Sequence, residues 1–140
     1  MAKRRLKKIQ VYVDMYDAYV IFLIGGEVPD LLSYLKRKHG ADNTYYSWSK
    51  PFTFGKDADT TDGYQFHTNA PLGRGEIFYS WHSDLTPNLL THELYHIVGD
   101  ILHTRGVAYS YGSEEIYAYL YGWIFERLFK KLGGKLPKRL

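Results

Sequence analysis

The sequence predicts an α+β domain, and three observations lead to this class. Short runs of β-branched and aromatic residues, separated by Gly and Asp, fill much of the first half of the chain and are typical of strands. Two long segments with helical spacing of apolar residues lie in the second half. Strands first and a helical pair last favour α+β over an alternating arrangement. Because 140 residues suit one core, we expect a single domain over residues 1–140.

The N-terminal half is predicted to hold a strand pair, one helix and a less regular region. Residues 8–13 alternate polar and apolar side chains, and the apolar run 19–24 follows after turn residues, which indicates a β-hairpin. Pro29 suits the first turn of a helix that ends at His39 and Gly40. Residues 41–75 mix Gly and Pro with short aromatic pieces, which predicts loops with one or two short strands.

The C-terminal half gives clearer signals. Residues 76–82 are rich in aromatic side chains and predict a strand. Thr86-Pro87 is typical of a helix start, and the apolar spacing continues to His103. A second helix is predicted from Ser113 to about Leu132, where two glycines end it.

Composition and charge exclude several classes of protein. The chain has no cysteine, so a disulfide framework, a thiol nucleophile and any cysteine-based metal site are excluded. The net charge of +3 is uneven, because basic residues cluster at 3–8 and 127–139 while all 15 acidic residues lie between these ends. An acidic body is a poor match to a nucleic-acid-binding core, although the basic ends alone could contact an anionic surface.

No segment predicts export or membrane insertion. Asp14 and Asp17 interrupt the apolar region that follows the basic start, and the run Ala18–Ile24 is too short for a signal peptide or a membrane span. We therefore expect a cytoplasmic protein without membrane contact, in the host cytoplasm if it is phage-encoded.

A histidine pair at helical spacing points to chemistry. The residues His92-Glu93-Leu94-Tyr95-His96 match H-E-x-x-H inside the first C-terminal helix. A spacing of four residues puts both histidines on one helix face, so both imidazoles can reach a single ion. Glu93 projects beside them, where it can take a proton from metal-bound water. The pattern predicts a Zn²⁺ site with Glu93 as general base; the alternative is two solvent-facing histidines on an ordinary helix.

A catalytic zinc needs a third protein ligand, and the second helix offers the favoured candidate. Glu115 shares a helix face with the small residues Ala118 and Gly122, which would let this face approach Gly99 of the first helix closely. Glu114, about 100° round the helix, is the alternative ligand, although its position would equally favour the helix N-terminus by charge alone.

Two further candidates lie on the first helix itself. Asp100 follows His96 by four residues, but three successive ligands along one straight helix spread over about 12 Å and cannot close around one ion. We expect Asp100 either to accept a hydrogen bond from a ligating imidazole or to be solvated. His103 lies one residue beyond the third histidine of the extended motif H-E-x-x-H-x-x-G-x-x-H and is a weaker alternative ligand.

The combination His92-Glu93-x-x-His96 and Glu115-x-x-Ala118 resembles the gluzincin metallopeptidases, above all the small ImmA/IrrE-like proteases of phages and mobile elements. The resemblance covers about residues 77–125. It implies a zincin-like fold, in which N-terminal strands form a small sheet with one early helix, followed by an active-site helix and a C-terminal ligand-bearing helix. It also implies that the two histidines and Glu115 bind zinc, with Glu93 as the general base.

The resemblance extends to the strand before the active-site helix, Tyr79–His82. In zincins this strand forms the edge of the cleft and pairs with an extended peptide, so we expect an exposed edge here, with Trp81 either at the cleft or in the core. The candidates for stabilising a developing oxyanion are His82, Tyr95, Tyr109 and Tyr111, and the sequence does not choose among them.

Together the residues predict a zinc-dependent metallopeptidase that hydrolyses peptide bonds of a protein or peptide substrate. A zinc-bound water activated by Glu93 would attack the carbonyl group, with Zn²⁺ as the cofactor. Two alternatives from other classes remain. One is a catalytically inactive or structural-zinc binding protein, for instance a phage interaction protein. The other is a nucleic-acid-associated protein that uses its basic ends.

Overall fold

The computed structural model describes residues 5–48, 50–54, 63–71 and 75–134, and these residues form a mixed sheet with helices on both faces. In chain order the elements are β1 (Lys7–Val13), β2 (Ala18–Ile24), α1 (Val28–His39), β3 (Tyr45–Ser47), β4 (Lys50–Phe52), β5 (Gly63–Asn69), β6 (Glu76–His82), α2 (Pro87–Thr104) and α3 (Glu114–Lys131). The predicted α+β class, the N-terminal hairpin, the strand 76–82 and the three helices are confirmed.

The described strands form a six-stranded sheet in the order β1-β2-β6-β5-β3-β4. The strands β2 and β6 pair in parallel, whereas β1 with β2 and β5 with β6 pair antiparallel. Because β6 has a neighbour on each side, the prediction that Tyr79–His82 forms an exposed edge is wrong. Its burial explains the position, since every residue from Ile77 to His82 is buried and a strand covered on both faces is stable inside a sheet. Trp81 is a core residue and donates its indole N–H to the carbonyl oxygen of Gly25 at 3.0 Å.

Two apolar cores lie on opposite faces of the sheet. The first core joins β1 and β2 to α2 and α3, and its fully buried helical residues include Leu94, Ile101, Leu120, Ile124 and Leu128. The second core lies under α1 and is built from Leu31 and Leu35 with aromatic residues of β5 and β6. Because successive residues of a strand point to opposite faces, β2 and β6 contribute residues to both cores.

The region 41–75 is more regular than the sequence indicated, since it contributes three strands to the sheet. In β5, Tyr64 and Phe66 face the α1 side, while Gln65 and His67 face the α2 side. Among the described residues, β3 pairs with β5 at one position, Tyr46 opposite His67. The outer side of the first half of β5 therefore has no described strand beside it.

The N-terminal turn and the buried face of α2 position the His92–His96 motif beside the sheet. The Thr86 hydroxyl accepts the backbone N–H of Leu89 at 3.1 Å, and Pro87 occupies the first helical turn, as the sequence predicted. Burial of Leu94, Ile97 and Ile101 holds the inner face of α2 against β2 and β6. None of the helices described here has the length and apolarity that a membrane span requires.

Candidate active site

The two histidines of the motif lie together on α2. The Nε2 atoms of His92 and His96 are 3.2 Å apart, and the two rings are tilted against each other at 67°. Two nitrogen ligands of one tetrahedral zinc ion, each at 2.0–2.1 Å from the metal, would be about 3.3 Å apart. His92 is 63% exposed and His96 is half-buried, so the pair faces the surface. The donor atoms therefore fit two positions of a zinc site.

Glu93 lies beside this pair and is fixed by a residue of the sheet. Its Oε1 atom is 4.0 Å from Nε2 of His92. The side-chain amide of Gln65, on β5, donates to Oε2 of Glu93 and also to the Glu93 backbone carbonyl oxygen, the latter at 2.9 Å. One carboxylate oxygen is thus held by the sheet, while the other lies near the histidines. This orientation suits a group that takes a proton next to a bound ion.

A cleft of about 550 Å³ opens between the start of β5, the end of β6 and α2. The residues that line it are Gly63, Tyr64, Gln65, His82, Ser83, Asp84, Leu89, Glu93 and His96. Gly63 is required at this point, because a Cβ atom there would lie 2.6 Å from Nδ1 of His82. The cleft joins the proposed base to the first half of β5, beside which no described strand lies on the outer side, and we call it the main cleft.

The third ligand is not assembled within the described residues. No three His, Asp or Glu side chains among them come together as metal ligands would. Glu115 is exposed, as are Ala118 and Gly122 on the same face, and a Cβ atom at Gly122 would meet nothing within 4 Å. The predicted close packing of this face is therefore wrong, because α3 packs through its large apolar residues instead. Glu115 as a zinc ligand stays a prediction.

Glu114, the alternative ligand, is exposed too, but it has a neighbour near the histidines. Its charge raises the pKa of Tyr109, after the larger effect of Tyr95. Tyr95 and Tyr109 line a smaller cleft together with His96. Of the two glutamates, Glu114 is therefore the one with a described electrostatic contact on the histidine side of α3.

Asp100 and His103 take other roles than those expected. Asp100 is 6% exposed, and its carboxylate accepts a backbone hydrogen bond from Trp48, while Oδ1 has no partner. It is therefore neither solvated nor bonded to an imidazole of the motif. His103 is exposed and contacts the Trp48 ring edge-on at 6.0 Å between centroids.

The four candidates for an oxyanion stabiliser lie in different places. His82 lines the main cleft; it is buried, its Nε2 lies 2.6 Å from the Ser80 hydroxyl, and burial lowers its pKa to about 4. The imidazole is therefore neutral at pH 7. Tyr95 and Tyr109 line the smaller cleft, and Tyr111 is 96% exposed. His82 is the candidate that shares a cleft with Glu93.

Comparison with known proteins assigns the chain to no family. No protein-family model matches the chain, and neither a curated protein nor a solved structure matches it.

Two residues of the site have no counterpart in the sequence prediction. Gln65 reaches Glu93 from a strand 28 positions earlier, and Trp48 reaches α2 from the turn between β3 and β4. Neither contact follows from helical or strand spacing. The only sequence signal was the aromatic richness of residues 41–75, which marked the region without indicating its partner.

Proposed function

We propose that the protein is a zinc-dependent metallopeptidase with a zincin-like arrangement of its active-site helix. The observation that supports this most directly is the 3.2 Å separation of the His92 and His96 Nε2 atoms, with a Glu93 oxygen 4.0 Å from one of them. The resemblance of the motif to gluzincins agrees with this proposal. Two imidazoles and a neighbouring carboxylate at a cleft are two of the three ligands and the general base that a zinc peptidase uses.

The roles of the residues follow from their positions. His92 and His96 hold the ion, and Glu114 or Glu115 of α3 supplies the third ligand. When bound, zinc supplies Lewis acidity that polarises a carbonyl group and makes water a better nucleophile at neutral pH. The Oε1 oxygen of Glu93 takes the proton from the attacking water and later delivers it to the leaving amine. Gln65 keeps the carboxylate in the orientation in which Oε1 faces the histidines.

The substrate is an extended peptide bound at β5. The start of this strand lines the main cleft beside Glu93, and no described strand covers its outer side. An unpaired strand edge can bind an extended peptide through backbone hydrogen bonds. We therefore assign to Gly63–Gln65 the role that the sequence had suggested for Tyr79–His82.

One observation favours a non-catalytic alternative. The described residues do not gather a third metal ligand beside the histidines. A protein with an incomplete zinc site would bind its partner without cleaving it. The alternative based on the basic ends stays a prediction, since no observation tests nucleic-acid binding and part of these ends, residues 1–4 and 135–140, lies outside the described residues.

Substitution of the proposed ligands and base tests the function. We expect about one zinc ion per wild-type chain and its loss in His92→Ala and His96→Ala, measured by metal analysis after gel filtration. Glu93→Gln should keep zinc and lose peptide cleavage by about 10²–10⁴-fold, because the base is removed while the ligands remain. Cleavage is measured by mass spectrometry on a peptide library of mixed sequence.

The matched control is Glu126→Gln, which removes an exposed carboxylate of α3 that pairs with Lys130 at 3.4 Å. This variant should keep both zinc and activity. Unchanged cleavage by Glu93→Gln would contradict the base assignment. A wild-type protein that binds zinc but cleaves no peptide would favour the non-catalytic alternative.

A further inference from the structure

A second, smaller cleft of about 210 Å³ adjoins the histidine pair, and His96 lines both this cleft and the main cleft. Its lining is mostly aromatic and consists of Trp48, Tyr95, His96, Gly99, His103, Val107, Ala108, Tyr109 and Tyr117. We call it the aromatic cleft. The rings of Tyr109 and Tyr117 meet edge to face at 5.0 Å between centroids, and this contact forms one wall.

Trp48 also lines the cleft, and it does so in an unfavourable backbone conformation. Trp48 has a φ of 51°, in the left-handed region, where Gly, Asn and Asp are the usual residues of a two-residue hairpin turn. Its side chain is 50% exposed. Both the backbone strain and the exposed indole cost stability, and such local costs concentrate at functional sites. The turn thus presents an aromatic ring to the cleft.

Gly99, which also lines the cleft, is a second residue that lowers stability. Gly99 lies in the middle of α2, where glycine is about 1 kcal/mol less favourable than alanine. Packing does not require this glycine, since an added Cβ atom would lie 3.6 Å from Trp48 and 3.8 Å from Tyr117, which is ordinary contact. The missing side chain leaves space between the two rings.

The charges around the cleft are negative. No Lys or Arg belongs to its described lining. Asp100 follows Gly99 directly, is buried, accepts the backbone N–H of Trp48 and has an unpartnered Oδ1 atom. Glu114, whose charge acts on Tyr109, adds to this negative charge when Glu115 is the zinc ligand. Aromatic faces near negatively charged carboxylates attract cations, and arginine in particular stacks on aromatic rings.

We propose that the aromatic cleft binds the side chain of an arginine that flanks the scissile bond of the substrate, with its guanidinium between Trp48 and Tyr109. This inference rests on the proposed peptidase function for the identity of the ligand. A cleft that binds arginine makes the protein selective for basic peptides. The cleft adjoins His96, so an arginine in it belongs to a peptide that also reaches Glu93.

The test uses a probe that needs no catalysis. N-acetyl-arginine amide and its neutral isostere N-acetyl-citrulline amide are titrated into the zinc-loaded full chain at pH 7.5. The indole N–H NMR signal of Trp48, assigned with Trp48→Phe, is the readout. We expect the arginine probe to shift this signal with a Kd about fivefold to tenfold lower than that of citrulline.

Two variants of the same loop give the control. Tyr109→Ala removes a wall of the cleft and should abolish the preference for arginine, whereas Tyr111→Ala changes an exposed ring outside the cleft and should leave it intact. Equal Kd values for both probes, or an unshifted Trp48 signal, overturn the inference even if peptides are cleaved. An arginine-selective shift without any peptide cleavage supports the cleft and contradicts the peptidase function.

Discussion

At the scale of single residues, Asp100 shows how a buried carboxyl group makes the stability of the fold depend on pH. Burial raises the pKa of its carboxyl group to about 6, from an ordinary value of 3.8, and the neighbouring charge of Glu76 adds to the effect. The hydrogen bond from the Trp48 backbone lowers the pKa but does not offset the burial. The folded protein therefore binds a proton at this site over a pH range in which the unfolded chain has released it.

The sign of the pH effect follows from this difference. Between pH 4 and 6 the folded state holds more protons at Asp100 than the unfolded state, so this residue lowers stability as the pH rises through that range. We expect Asp100→Asn to be more stable than wild type by about 1–3 kcal/mol at pH 7.5 and by close to zero at pH 4. Urea unfolding at both pH values measures the difference.

The control for this prediction is Asp42→Asn, which changes an exposed carboxylate after α1. Its stability relative to wild type should be nearly the same at both pH values. A stability gain of Asp100→Asn that does not depend on pH would show that the cost of Asp100 is not electrostatic.

At the scale of elements, α3 shows that burial of large apolar residues, and not close approach through small residues, determines which face of the helix packs. Its buried residues are Tyr117, Leu120, Ile124 and Leu128, which recur at helical spacing. The small residues Ala118 and Gly122 face outward. Burying large apolar side chains stabilises a helix more than the close approach that small residues permit. The small residues predicted close packing only under the assumption that Glu115 faces another helix.

Gly122 then has no packing role, and its replacement tests the orientation of α3. A Cβ atom at Gly122 would meet nothing within 4 Å, so alanine fits without strain. We expect Gly122→Ala to stabilise the protein by about 1 kcal/mol through helix propensity alone. The measurement is the free energy of unfolding in urea. Destabilisation would mean that this face of α3 is covered by another part of the chain.

The elements also show what the sequence could predict. The helices were recognisable because apolar spacing, Thr86 with Pro87 at one start and the paired glycines at one end agreed with each other. The strand β5 gave a weaker signal, because its alternation Tyr64-Gln65-Phe66-His67 is short and predicts a solvent-facing polar side, whereas His67 is buried under α2. The histidine pair was predicted from local spacing, whereas the contact of Gln65 with Glu93 depends on the sheet topology.

At the scale of the whole molecule, the proposed metal site lies outside both cores. His92 is mostly exposed, and no motif histidine belongs to either apolar cluster. The two cores cover the sheet on both faces with buried Val, Ile, Leu and aromatic residues. Hydrophobic burial on this scale is the dominant contribution to folding, and it does not depend on a metal.

Removal of zinc should therefore leave the fold intact. Zinc that binds only the folded state stabilises it by mass action, so a chelator should lower Tm by on the order of 10 °C when zinc is present at about 100 times its Kd. Far-UV circular dichroism at 25 °C and a cooperative thermal transition should persist in EDTA. His96→Ala is the control, since its Tm should not respond to the chelator. Loss of the folded state on chelation would instead make the zinc structural, and would favour the non-catalytic alternative over the peptidase.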